Sequence, residues 1–192
     1  MSMLLEDGEY FLLAQHLERL RNSADYFGFG FPGTQINADL GRIAIEKSRG
    51  LFKVRFTLWK DGRIETHVSA VKPPLDQHLR FAATPVDSSD RFLFHKTTAR
   101  DYSDGVVFWN ERGEITEASI ANIVVEIDGE LYTPPVSSGL LAGTFRNHLL
   151  AQGKIKERVI TVAELPNEFF LINSVRKWVR GNLSRKGAQT QS

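Results

Sequence analysis

Leu13, Leu17, Leu20, Ala24 and Phe27 recur at spacings of four, three, four and three, with Glu18, Arg19 and Arg21 between them. That period puts all five on one face of a helix. A shorter helix is predicted from Asn37, a residue suited to an N-cap, through Leu40, Ile43, Ala44 and Lys47, with Gly50 stopping it. The period then drops to two. Phe52, Val54, Phe56 and Leu58 alternate with Lys53, Arg55 and Thr57, the signature of a half-buried strand. Lys60-Asp61-Gly62-Arg63 turns the chain and Ile64–Val71 returns as its hairpin partner, which Lys72-Pro73-Pro74 ends. One more strand is predicted at Leu79–Thr84.

Pro85–Asp90 is polar and turn-prone, and it reads as a linker. Beyond it strands are expected at Phe92–Phe94, Gly105–Trp109, Ile123–Ile127 and Glu130–Tyr132, with turns at Asn110–Gly113 and Asp128-Gly129. Gly143–Leu150 reads as a helix closed by Gly153, followed by strands near Arg158–Val162 and Phe169–Ile172. The expectation is therefore α+β: a small α/β lobe over residues 1–84, a linker over 85–90, and a larger β-rich lobe over 91–192. The acid-free stretch Phe169–Ser192, with Arg176, Lys177, Arg180, Arg185 and Lys186, reads as a solvated terminus in preference to an anion contact.

Composition narrows the function. The chain has 192 residues, 42% of them hydrophobic, enough to bury a core. It has no cysteine, so disulfides, thiolate nucleophiles and thiolate metal sites are excluded. A net charge of +1 argues against nucleic-acid binding through a broad basic face. No apolar run approaches the ~20 residues that span a bilayer, and no signal peptide is apparent. A cytoplasmic protein acting on a small molecule, away from nucleic acid and membrane, is expected.

Several chemistries lack their pattern. His16, His67, His78, His95 and His148 form no H-E-x-x-H and share no i, i+4 face, so no metal site is expected. Gly28, Gly30 and Gly33 imitate a dinucleotide fingerprint but follow a helix where a strand is required. Ser137-Ser138-Gly139 lacks the flanks of a nucleophile elbow. What stands out is Lys96, at the end of the apolar Phe92–Phe94 segment, followed by Glu117 and then by Gly143 opening a helix. Taken singly, these are a surface charge, a solvated carboxylate between strands and a turn residue.

Their order carries more. His16-Leu17-Glu18-Arg19-Leu20, the Lys96 segment, Thr116-Glu117 with Asn122-Ile123, Thr133-Pro134-Pro135 through Gly143 and Arg146, and Asn173-Ser174-Val175-Arg176 follow one another from about Leu12 to Arg176. This order resembles the class IV, D-amino-acid-aminotransferase-like family of pyridoxal-phosphate enzymes. That family includes branched-chain and D-amino-acid aminotransferases and 4-amino-4-deoxychorismate lyase. The resemblance implies a two-lobed fold, pyridoxal 5'-phosphate as cofactor and a homodimer. It assigns Lys96 as the catalytic lysine, which forms the Schiff base and then moves protons. Glu117 falls at the carboxylate beside the ring nitrogen. Arg19, Thr144, Phe145 and Ser174 fall at phosphate-binding positions.

The chain also departs from the family. Phe145 stands where many members have threonine, and Lys177 where a glycine is common. Familiar members carry a further strand or two before the first helix, so a fold shortened at the N-terminus is expected. Only 21 positions separate Lys96 from Glu117, and the helix usually found there is expected to be a loop at Asp101–Gly105. Arg100 occupies the position of the aminotransferase tyrosine, which most resembles the lyase. Arg100 and Arg176 either pair with the two carboxylates of the lyase substrate or contact backbone and solvent. The function implied is conversion of 4-amino-4-deoxychorismate to p-aminobenzoate and pyruvate, a step of folate biosynthesis. The alternatives are an aminotransferase acting on branched-chain or D-amino acids, and a weakly active relative that binds the cofactor.

Overall fold

The computed structural model describes residues 1–72, 77–98 and 105–184. Arg100 and most of the loop expected at Asp101–Gly105 lie outside them. The chain divides into two compact units, Met1–Pro73 with Ser174–Arg176, and Pro74–Asn173 with Lys177–Ser192. The segment 85–90 lies within the second unit. Val86 there forms an isolated bridge with Asn110, its amide bonded to the Trp109 carbonyl.

The first unit opens with β1 (Ser2–Glu6) and β2 (Glu9–Tyr10), joined by a turn at Asp7-Gly8. Strands therefore do precede the first helix. Their signal is weak because Met3, Leu4 and Leu5 are all buried, which erases the two-residue alternation. Helices α1 (Leu13–Phe27) and α2 (Gly33–Glu46) follow, then the hairpin β3 (Leu51–Leu58) and β4 (Ile64–Ala70). The sheet order is β2-β1-β3-β4, antiparallel throughout. Helix α2 starts four residues before the expected Asn37. Pro32 sits at its N-cap, and Ile36 extends the stripe of Leu40 and Ile43. Those three side chains pack on Met3, Leu5, Val54 and Phe56 to form the core of this unit.

The second unit contains β5 (Gln77–Phe81), β6 (Val106–Trp109), β7 (Ile115–Ala118), β8 (Asn122–Ile127), β9 (Glu130–Thr133), α3 (Thr144–Ala151), β10 (Lys156–Glu157), β11 (Glu168–Asn173) and β12 (Lys177–Leu183). Among the described residues these strands form one sheet ordered β10-β9-β8-β11-β12-β5-β6-β7. The pairs β9–β10, β12–β5 and β5–β6 are parallel. Val107, Ile115, Ile123, Val125, Ile160, Leu165 and Leu171 fill its core.

Three further expectations change. Phe92–Phe94 belongs to a 3₁₀ turn, Arg91–Phe94, because the Asp90 side chain accepts from the Phe92 amide at 2.9 Å and starts a helical turn. The strand expected at Arg158–Val162 is replaced by the short β10 and an isolated bridge between Thr161 and Glu114. The segment read as a solvated terminus supplies β12, an interior strand between β11 and β5.

Candidate active site

Strand β7 is buried at each of its four residues, Ile115, Thr116, Glu117 and Ala118. Glu117 is therefore a carboxylate inside the second unit, 6% exposed, and not a solvated residue between strands. Its Oε1 accepts from the Leu141 amide at 3.3 Å. The carbonyl of Leu141 accepts in turn from Asn122 Nδ2 at 2.9 Å, at the start of β8. The backbone of Leu141 is thus held at both its N–H and its C=O by buried polar side chains. A buried carboxylate is costly unless hydrogen-bond donors or a cation complement it.

Downstream of Leu141 the chain runs past Gly143 into α3. Gly143 has φ −62° and ψ 140°, a conformation open to any residue. Its requirement is space, since a Cβ there would lie 2.0 Å from Asn122 Oδ1. Helix α3 opens without a side-chain cap, so the amides of Thr144 and Phe145 stand at the positive end of the helix. Both residues are 5% exposed. The Phe145 ring stacks on His148 and meets Trp178 edge-on, each with ring centres 6.3 Å apart. Arg146, 1% exposed, donates to the Pro134 carbonyl at 2.8 Å and pairs with Glu157, fixing α3 against the end of β9 and against β10.

Lys96 lies two residues beyond the 3₁₀ turn, on irregular chain and exposed, not at a strand end. Leu93, 5% exposed, anchors the segment that carries it. Burial lowers the pKa of the neighbouring His95. Lys96, Glu117, Thr144 and Phe145 all belong to the second unit.

Arg19, Ser174 and Arg176 belong to the first. Arg19 is half-buried on α1, one turn after His16. His16 is 1% exposed, and burial, reinforced by the Arg19 charge, pushes its pKa down to about 3. Ser174 is 7% exposed and Arg176 half-buried, in the short loop joining β11 to β12. Lys177, which follows that loop, has φ +57°, the left-handed conformation that favours glycine. Among the described residues no cluster of three His, Asp or Glu side chains is placed to hold a metal, and no helix is long and apolar enough to cross a membrane.

Two polar residues of the ordered motifs, Thr116 and Asn122, had no individual role assigned from sequence. Thr116 Oγ1 is buried and has no partner among the described residues. Their places beside Glu117 and Ile123 in the motif order are the sequence signal the two leave.

Comparison with known proteins agrees with this architecture. A Mesorhizobium loti protein named "Putative amino-acid aminotransferase" superposes with a TM-score of 0.86 and 30% identity, over 96% of this chain and 98% of its own. A Mycobacterium tuberculosis hypothetical aminotransferase, solved in a PLP-bound form, superposes with a TM-score of 0.73 at 20% identity, over 99% of this chain and 82% of its own. A Schizosaccharomyces pombe protein named "Putative aminodeoxychorismate lyase" is 29% identical over 93% of this chain and 87% of its own. Residues 2–182 match the amino-transferase class IV family, and the chain belongs to that family.

Proposed function

We propose that the protein is a pyridoxal-phosphate-dependent lyase that converts 4-amino-4-deoxychorismate to p-aminobenzoate and pyruvate. The observation that carries the cofactor reading is Glu117, a carboxylate only 6% exposed on the wholly buried strand β7, which accepts from the Leu141 amide. A protonated ring nitrogen is a cation of the kind that a buried carboxylate can pair with. The first-turn amides of α3 stand at the positive end of that helix, which suits a phosphate. In this reading Glu117 holds the ring nitrogen, Lys96 the aldehyde carbon, and Arg19, Thr144, Phe145 and Ser174 the phosphate.

When bound, pyridoxal phosphate supplies an aldehyde that takes up the substrate amine and a ring that accepts electron density from the adjoining carbon. The Lys96 amine takes the proton from the ring carbon bearing nitrogen. The carbon–oxygen bond at the neighbouring carbon breaks, its electron pair leaving on oxygen. The released enol takes a proton to become pyruvate, and the ring that remains is aromatic. Arg100 and Arg176 pair with the two substrate carboxylates. A cytoplasmic homodimer is the setting that goes with this reading.

The full-length likeness to the S. pombe protein supports the lyase reading. The likeness to the M. loti protein favours a second one, transamination, in which Lys96 would move the α-proton of an amino acid and a keto acid would be the product. Incubation with 4-amino-4-deoxychorismate and no amino acceptor separates them. Pyruvate and p-aminobenzoate in equal amounts support the lyase, whereas conversion of cofactor to its amine form by amino acids, without pyruvate, establishes the aminotransferase. Glu117→Gln should keep cofactor and lose turnover by about 100-fold or more. Unchanged turnover removes Glu117 from the site.

A further inference from the structure

Three turns of the second unit converge on one guanidinium. Arg112 donates through Nε to Glu114 Oε1 at 3.0 Å and through Nη2 to Glu114 Oε2 at 2.8 Å, a two-point grip. Its Nη1 donates to Ser88 Oγ at 2.6 Å and Glu111 Oε1 at 2.8 Å. Its Nη2 also reaches the Ser137 carbonyl at 2.9 Å. Beneath it Asn110, 0% exposed, donates to both Glu114 Oε2 and the Ser138 carbonyl at 2.9 Å. Ser138 Oγ, also buried, donates to the same Glu114 oxygen at 2.9 Å.

Each turn leads to a residue of the candidate site. The Ser88 turn runs into Leu93 and then Lys96. The Asn110–Glu114 turn enters β7 three residues before Glu117. The Ser137–Gly139 turn precedes Leu141, whose amide meets Glu117, and then α3. The approach is close: a Cβ on Gly139, at φ +92°, would lie 2.9 Å from Ser88 Cα and 3.2 Å from Leu93 Cδ1. Exposed ion pairs add little to stability, and the Arg112 side chain is 44% exposed. Five donated bonds from one half-exposed side chain suit the holding of geometry better than the holding of the fold.

We propose that Arg112 is a positioning residue, which through Glu114 and Ser88 sets the Lys96 segment in register with Glu117 and the start of α3. The proposal rests on the functional reading above. Hydrogen bonds from Arg112 and Ser88, respectively, hold the Glu114 and Glu111 carboxyls at a pKa of about 2, so the cluster keeps its charges throughout the neutral range.

The test compares the full-length wild type with Arg112→Gln, Arg112→Lys and Ser88→Ala. Borohydride reduction of wild type with pyridoxal phosphate, followed by peptide mapping, first examines the functional reading alone, and an adduct away from Lys96 sinks that reading. Hydrogen exchange without cofactor examines the clamp by itself. In Arg112→Gln the Leu93 and Leu141 amides should exchange at least tenfold faster, while those of β11 keep their rates. Unchanged Leu93 and Leu141 amides overturn the proposal whatever the cofactor result. With the functional reading upheld, kcat should fall at least tenfold in Arg112→Gln with KM within threefold, and by less in Ser88→Ala. Arg112→Lys should recover under a third of kcat, because an ammonium cannot span Glu114 and Ser88 together. A normal kcat, or a loss confined to KM, overturns it. If the adduct at Lys96 is absent, the exchange rates alone decide.

Discussion

Replacing Gly143 by alanine adds one methyl group at the junction of β8, the Leu141 peptide and α3. The backbone tolerates it, since φ −62° and ψ 140° suit any residue. The obstacle is Asn122 Oδ1, 2.0 Å from the new carbon, far inside van der Waals contact. Asn122 cannot simply swing aside. It is 5% exposed, and its Nδ2 is committed to the Leu141 carbonyl at 2.9 Å. Moving it forfeits that hydrogen bond, about 1 kcal/mol, and crowds a packed interior, about 1–3 kcal/mol. The expected cost is about 2–4 kcal/mol, measured by urea unfolding with an unchanged m-value. A double-mutant cycle with Asn122→Ala isolates the cause. Asn122→Ala removes the oxygen, so Gly143→Ala on that background should cost under about 1 kcal/mol. Equal costs on the two backgrounds would refute the steric argument and place the glycine requirement elsewhere.

Two other outcomes follow from the first unit and the β11–β12 turn. His16 has its folded pKa near 3 against an ordinary 6.5, so the unfolded chain binds the extra proton between those values. Stability is then complete above about pH 6.5 and falls as pH drops toward 3, with about 2 kcal/mol lost by pH 5. His16→Asn should flatten that limb in urea titrations at pH 5 and 7.5, and an identical slope would remove His16 as its source. Lys177→Gly relieves a left-handed residue, worth about 1–2 kcal/mol, against about 0.5–1 kcal/mol of added chain entropy. A net gain of about 0.5–1 kcal/mol should appear as a higher urea midpoint, and a lower one means that the lysine side chain outweighs the strain.

The elements that the sequence made legible are those buried on one face. Helix α1 and strand β3 alternate between core and solvent at their own periods, so their patterns survive in the letters. Strand β7 is buried on both faces and includes Thr116 and Glu117 among its four residues, so neither alternation nor hydrophobicity marks it. In β12 the inward positions are Val179, Gly181 and Leu183. Gly181 sits where a Cβ would be 3.0 Å from Phe169 and 3.2 Å from Leu171 and Leu79. Neighbouring side chains fill the space, and the alternation skips a beat. The candidate residues were found from their order along the chain. The contacts that hold them, such as Asn122 against Gly143 or Arg112 against Ser88, join positions 20 or more apart and leave no local trace.

The interior place of β12 also governs how the second unit is built. Its partners are β11, a few residues upstream, and β5, about 100 residues upstream. Until residues 177–183 arrive, β5 and β11 each present an unpaired edge of backbone donors and acceptors, and such edges pair readily with other chains. Closing so long a loop carries an entropy cost that its contacts repay only at the last step, which slows folding. During synthesis the hairpins β6–β7 and β8–β9 can form early, while the sheet as a whole waits for one late strand. Fragments that stop short of it should be the aggregating species, and dilution or a chaperone that shields strand edges should raise the yield of the folded protein.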